Sequence, residues 1–331
     1  MNYLSDKIKG YLKYLPHDVK NVFSSKDNLD KIIENEYKKT FEILHKFGII
    51  EYIEKKYEIN YKEPKLKILK YKILKNEPSV AGEYSLSKNK IKISKKSIER
   101  LIDSQLKFLG YKKRIEEFID RLLKSLGYKE IKRSTNDIQN IGYLYVAHNP
   151  DLIFLYPSYI NEKNKIESIA ESITRLTTFH EAWHSIDNSI LDKLAIDNNI
   201  LNKLTIDSII KYKDDLERID HLLTILDNPE LRASAFEVVM YYLANGFHKD
   251  ERGYIAAYFN ILKCGKYIEG INEQEKNKYM KELDPYDLGF CYGNIIVAKY
   301  RSSLEENIYN IIDDIIHLDK ERAIDVIKHY I

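Results

Sequence analysis

Two histidines four residues apart, with a glutamate directly after the first, form the segment His180-Glu181-Ala182-Trp183-His184. On a helix this spacing puts both imidazoles on one face, about one turn apart, so both can reach a single metal ion. Zinc takes imidazole nitrogen at about 2.0–2.1 Å, and a hydrolytic site keeps one coordination position for water. Glu181 stands beside that position, where it can take a proton from the water. The chemistry on offer is metal-assisted hydrolysis.

That chemistry requires a helix at this point. Residues 164–188 hold no proline or glycine, and Ile166, Ile169, Ile173, Leu176 and Trp183 recur at three- and four-residue steps. His180 and His184 fall on the stripe of Ile166, Ile169 and Ile173, which points the rings inward and leaves Glu181 at the edge of that face. Buried imidazoles one turn apart need partners, and a metal supplies them directly. The plainer alternative is two core histidines satisfied by hydrogen bonds, with a solvated glutamate between them.

A third ligand should arrive from another element. Asn228-Pro229-Glu230 opens a second helix, with Asn228 as N-cap and Pro229 as the first helical residue. A carboxylate in that first turn is favoured by the helix dipole. Glu230, Ala233, Ser234 and Glu237 share one face, and the two small residues let this helix lie close to the histidine helix. Glu230 is the first candidate and Glu237 the second; Asp187, Glu217 and His221 stay open.

The segment 180–184 resembles the H-E-x-x-H signature of the zincin metallopeptidases. The segment from Glu230 resembles the second motif of gluzincins, where a ligand glutamate is followed by a small residue and then Asp or Asn. Ser234 stands at that last place, and a hydroxyl orients a ligand histidine less strongly than a carboxylate. The metzincin pattern is absent, because Asp187 and Ile190 occupy its Gly and His positions. The resemblance implies Zn²⁺ held by His180, His184 and Glu230, with Glu181 as general base in peptide-bond hydrolysis. It also implies a Tyr or His donor to the oxyanion. Tyr241, Tyr242, His221 and His248 are available, as are Tyr286 and Tyr292 in the stretch 284–293, where Gly289 and Gly293 permit close helix packing. Asp187 is a candidate to orient a ligand histidine.

The expected fold is α+β and predominantly helical. Helices broken at Pro16, around Asn28 and at Gly48 fill a helical N-terminal region, 1–64. The period shortens toward two between 65 and 94, with a turn near Asn89. The order 82–94, 96–127, 129–132, 143–147, 152–156 and 164–188 is similar to the zincin upper subdomain: strand, backing helix, strands, edge strand, active-site helix. This part spans 65–204. A helical lower subdomain, 205–331, carries the third ligand and is punctuated by Gly246, Gly253, Gly265 and Gly270. In zincins the edge strand pairs with the peptide substrate. Asp151–Tyr156 is the candidate here, with a plain sheet strand as the alternative.

Lys+Arg 53 against Asp+Glu 51 leaves a net charge of +2, so no strong field draws the chain to nucleic acid or anionic membrane. No apolar run reaches the ~18 residues of a membrane span, and the first residues contain no signal-like apolar core. Cys264 and Cys291 read as buried thiols in a reducing compartment, which places the protein in the cytoplasm. The expected partner is a peptide or protein substrate, with no nucleic acid and no membrane. Rival readings are a catalytically weak or inactive zincin-scaffold binding or regulatory protein, a zinc hydrolase of a non-peptide amide or ester, and a helical protein with an accidental motif. Glu181 favours an enzyme over an inactive scaffold, which has no need of that carboxylate.

Overall fold

The computed structural model describes residues 26–70, 81–109, 141–146, 152–161, 164–197, 228–268 and 283–330. In chain order the elements are α1 (Lys26–Lys46), α2 (Ile49–Tyr57), β1 (Lys65–Leu69), β2 (Gly82–Ser85), β3 (Lys90–Ser94), α3 (Lys95–Leu109), β4 (Ile141–Val146) and β5 (Phe154–Tyr159). They continue with α4 (Lys165–Asp197), α5 (Pro229–Ala244), α6 (Glu251–Ile268), α7 (Pro285–Tyr300), α8 (Ile308–Ile316) and α9 (Lys320–Tyr330). The described chain is predominantly helical with a small mixed sheet.

The histidine helix, α4, is the centre of the molecule. It continues beyond the 164–188 expected from periodicity and is described through Asp197. α1, α3, α5 and β2 all pack on it, so residues 178–183 are buried on every side rather than along one stripe. α5 is buried all round from Leu231 to Leu243, as expected of a helix enclosed by other helices. α7 lies against it so closely that a Cβ on Gly289 would sit 2.7 Å from Ser234 Cβ, and one on Gly293 2.7 Å from Val238 Cβ. Gly246 takes φ 70° and ends α5, whereas Gly253 and Gly265 lie inside α6 instead of breaking it.

β1 pairs in parallel with β3, and β2 pairs antiparallel with β3, giving the order β1-β3-β2. Within the stretch 82–94 the turn expected near Asn89 is present: Asn89 adopts φ 42° and the chain reverses there between β2 and β3. The other edge of β2 faces α4.

β4 and β5 form a separate antiparallel hairpin. The expected edge strand is corrected here, because β5 is buried and its outer side is taken. Asn260 of α6 accepts from the Leu155 N–H at 2.8 Å and donates to the Leu155 carbonyl at 3.0 Å. Gln105 of α3 does the same for Tyr145 on β4, accepting from its N–H at 3.0 Å and donating to its carbonyl. Each amide side chain stands in for a neighbouring strand.

Cys264 and Cys291 are joined in a disulfide, which corrects their reading as free thiols. α6 and α7 run antiparallel, with Asn260 bonded to Asn294 at 2.9 Å, and the next turn sets the cysteines face to face with Cα atoms 5.8 Å apart. The thiol argument for a reducing compartment falls with that reading. No helix among the described residues is long and apolar enough to cross a membrane. The expected strand at 129–132, the end of the helix expected over 96–127, the 149–151 turn, Pro16 and Gly270 lie outside the described residues.

Candidate metal centre

Three ligand atoms converge where α4 meets the first turn of α5. His180 Nε2 lies 3.0 Å from Glu230 Oε2, His184 Nε2 lies 3.2 Å from the same oxygen, and the two Nε2 atoms are 3.2 Å apart. A tetrahedral ion with ligands at about 2.0–2.1 Å sets those ligands about 3.3 Å from one another, so the triangle fits such an ion with little movement. Among the described residues this is the one group of three or more His, Cys, Asp or Glu side chains spaced to hold a metal. Two imidazole nitrogens and a carboxylate oxygen suit a borderline divalent cation such as zinc.

Local sequence explains the placement. The four-residue spacing turns both rings to one side of α4, and they meet nearly edge to face at 77°. Pro229 starts α5, which puts Glu230 in its first turn, while Asn228 holds the N-cap position without a side-chain bond to that turn. Glu237 comes two turns later on the same face and reaches His180 from the other side, its Oε2 3.1 Å from Nδ1. The His180 ring is thus held between two carboxylates of one helix. Glu237 is not the third ligand at Nε2; it is the group that fixes the ring.

Electrostatics follow from this packing. Burial disfavours the His180 imidazolium, but hydrogen bonds to Glu230 and Glu237 outweigh it and push the ring up to about 10. Burial also opposes ionisation of Glu230, yet bonds to both histidines hold it well below the usual carboxylate range. Glu181 and Glu237 are both pushed up by burial, opposed in each case by His180.

Glu181 is not at a solvated edge. It is 6% exposed and faces β2, where the backbone N–H of Tyr84 donates to its carboxylate. Gly82 leaves the space it fills, since a Cβ there would lie 2.6 Å from Glu181 Oε1 and 2.6 Å from Thr177 Cγ2.

Tyr286 joins the site from α7. Asp284 caps that helix by accepting from the Tyr286 N–H at 2.9 Å, and Pro285 takes the first helical position. The tyrosine ring then stacks on His180 with centroids 5.6 Å apart and planes within 10°, and its hydroxyl bonds the Glu230 carboxylate.

The other candidates lie elsewhere. Tyr292 is buried on another side of α7 near Asp314 and Arg322. Tyr241 turns to Ser158 and Ser172, Tyr242 packs against Tyr156 and Phe247, and His248 bonds the Tyr242 carbonyl at 3.3 Å. Ser234 meets α7 rather than a histidine, and its hydroxyl has no partner among the described residues. Asp187 does not orient a histidine either. Its Oδ2 accepts from Arg232 Nε at 3.1 Å and Nη2 at 2.9 Å. Glu217 and His221 lie outside the described residues. Sequence reasoning missed Gly82, Arg232 and the orienting role of Glu237; only Glu237 left a signal, as a carboxylate seven residues along the Glu230 face.

No family model, curated protein or solved structure matches the chain.

Proposed function

We propose that the protein is a zinc-dependent metallopeptidase of gluzincin-like type, with His180, His184 and Glu230 as ligands and Glu181 as general base. The observation that carries this reading is the triangle of two Nε2 atoms and one carboxylate oxygen, 3.0–3.2 Å on each side, with a buried carboxylate next to it in sequence. A zinc ion bound there supplies Lewis acidity, polarising a scissile carbonyl and making water a better acid. Glu181, raised by burial, is suited to take a proton and to return it to the leaving amine. Glu237 keeps His180 in the tautomer whose Nε2 is free for a metal. Tyr286, whose hydroxyl bonds Glu230, is the candidate donor to an oxyanion.

In place of residues 151–156, the proposed peptide-binding edge is the outer side of β2, where a substrate would have to compete with Glu181 for the Tyr84 N–H. β3 occupies one side of β2 only, and the other side runs past Glu181. A peptide added along it would bring its backbone to the general base.

Elemental analysis and a quenched-fluorescent peptide mixture test the reading. Wild type should carry one zinc per chain and His184→Ala almost none. Glu181→Gln should keep the zinc and lose hydrolysis by about 10²–10⁴-fold. Zinc-free wild type, or a fully active Glu181→Gln, refutes it.

A further inference from the structure

We infer that the buried ion pair between Asp187 and Arg232 is a positioning pair for the metal centre: it fixes how α4 lies on α5, so that His184 and Glu230 stand at ligand distance. The inference rests on the zinc reading above.

Asp187 follows His184 by three residues and Arg232 follows Glu230 by two, so the pair sits within a turn of both ligands. Both side chains are buried, at 3% and 0% exposure. Two guanidinium nitrogens converge on the single oxygen Asp187 Oδ2, at 3.1 and 2.9 Å. Such a pair is a poor source of stability. Removing two charges from water costs about as much as their attraction returns, and apolar residues of similar size often do as well or better. What it adds is direction.

Beyond this pair and the contacts of His180 and His184 with Glu230 and Glu237, the helix contact is apolar, with Phe236 against Phe179 and against Trp183. Apolar contact is non-directional and tolerates sliding, whereas charge-assisted bonds from a rigid fork do not. A metal demands ligand placement within about 0.2 Å. Here the two ligand-bearing helices are far apart in sequence, and the fork fixes their register one turn from the ion. Asp187 touches no ligand, so it acts through helix placement.

Zinc affinity by chelator competition, and the melting temperature of the metal-free full chain, are measured for wild type, His184→Ala, Asp187→Asn and the double variant Asp187→Leu with Arg232→Met. Asp187→Asn should lower both quantities. The double variant should regain most of the melting temperature, yet bind zinc at least about tenfold more weakly than wild type. A double variant that binds zinc within about twofold of wild type overturns the inference and leaves the zinc reading intact. Should the double variant fail to fold, Arg232→Lys, which keeps the charge and loses the fork, decides by the same criterion. If wild type binds no more zinc than His184→Ala, the zinc reading fails and the positioning role goes with it.

Discussion

Glu237 meets Nδ1 of His180 at 3.1 Å, from two turns beyond the glutamate that faces the opposite nitrogen of the same ring. A ring that donates its Nδ1–H to a carboxylate is fixed in orientation, and its Nε2 becomes a better ligand. Glu237→Gln keeps the shape and removes the charge. Zinc affinity should fall about 10–100-fold, read by chelator competition, with helical content unchanged.

Metal and proton compete for His180. Burial resists the proton, but Glu230 and Glu237 hold the ring up to about 10, so the metal-free protein keeps it below that pH. A zinc ligand must be neutral, so binding expels the proton. Between pH 6.5, the ordinary histidine value, and about 10, apparent zinc affinity should rise about tenfold per pH unit. Calorimetry in buffers of different ionisation enthalpy should count close to one proton released by this ring at pH 8. The sign is fixed, and affinity that is flat with pH would contradict it.

Gly82 has no substitute at its position. A methyl group there would meet the Glu181 carboxylate at 2.6 Å, and Thr177 closes the other side. Gly82→Ala should retain zinc while losing about 10²-fold in turnover, since a displacement near 1 Å suffices for that loss. Metal content and peptide hydrolysis, measured on one preparation, check it.

Asp287 tests the packing of α7. It is fully buried, and neither carboxylate oxygen has a hydrogen-bond partner among the described residues. Burial, and then the charge of Asp284, push it up to about 7 from an ordinary 3.8. Between those values the folded state holds a proton that the unfolded chain releases, so stability falls as pH rises through the window and stays reduced above it. Asp287→Asn should raise the melting temperature by a few degrees at pH 8 and leave it nearly unchanged at pH 4.

The parts of the site legible in the sequence are those set by one helix at a time. The spacing of His180 and His184, and the place of Glu230 after Pro229, are local facts. What could not be read depends on how helices cross. Whether Glu237 or Glu230 reaches Nε2, and whether Asp187 turns to a histidine or to Arg232, is decided by the seating of α5 on α4. The cysteines pair because α6 and α7 run antiparallel, which no spacing announces. Residues 151–156 resembled a substrate-binding edge by their place just before the histidine helix, but any buried strand can hold that place. The amide that closes β5 comes from Asn260, about a hundred residues away.

Gln105 and Asn260, one on each flank of the β4–β5 ribbon, use up the backbone valences at its middle. Pro157 of β5, which has no N–H to offer, adds to this, so pairing of the ribbon with that of another copy is discouraged. The ribbon therefore offers few free backbone groups through which one molecule could pair with its own kind.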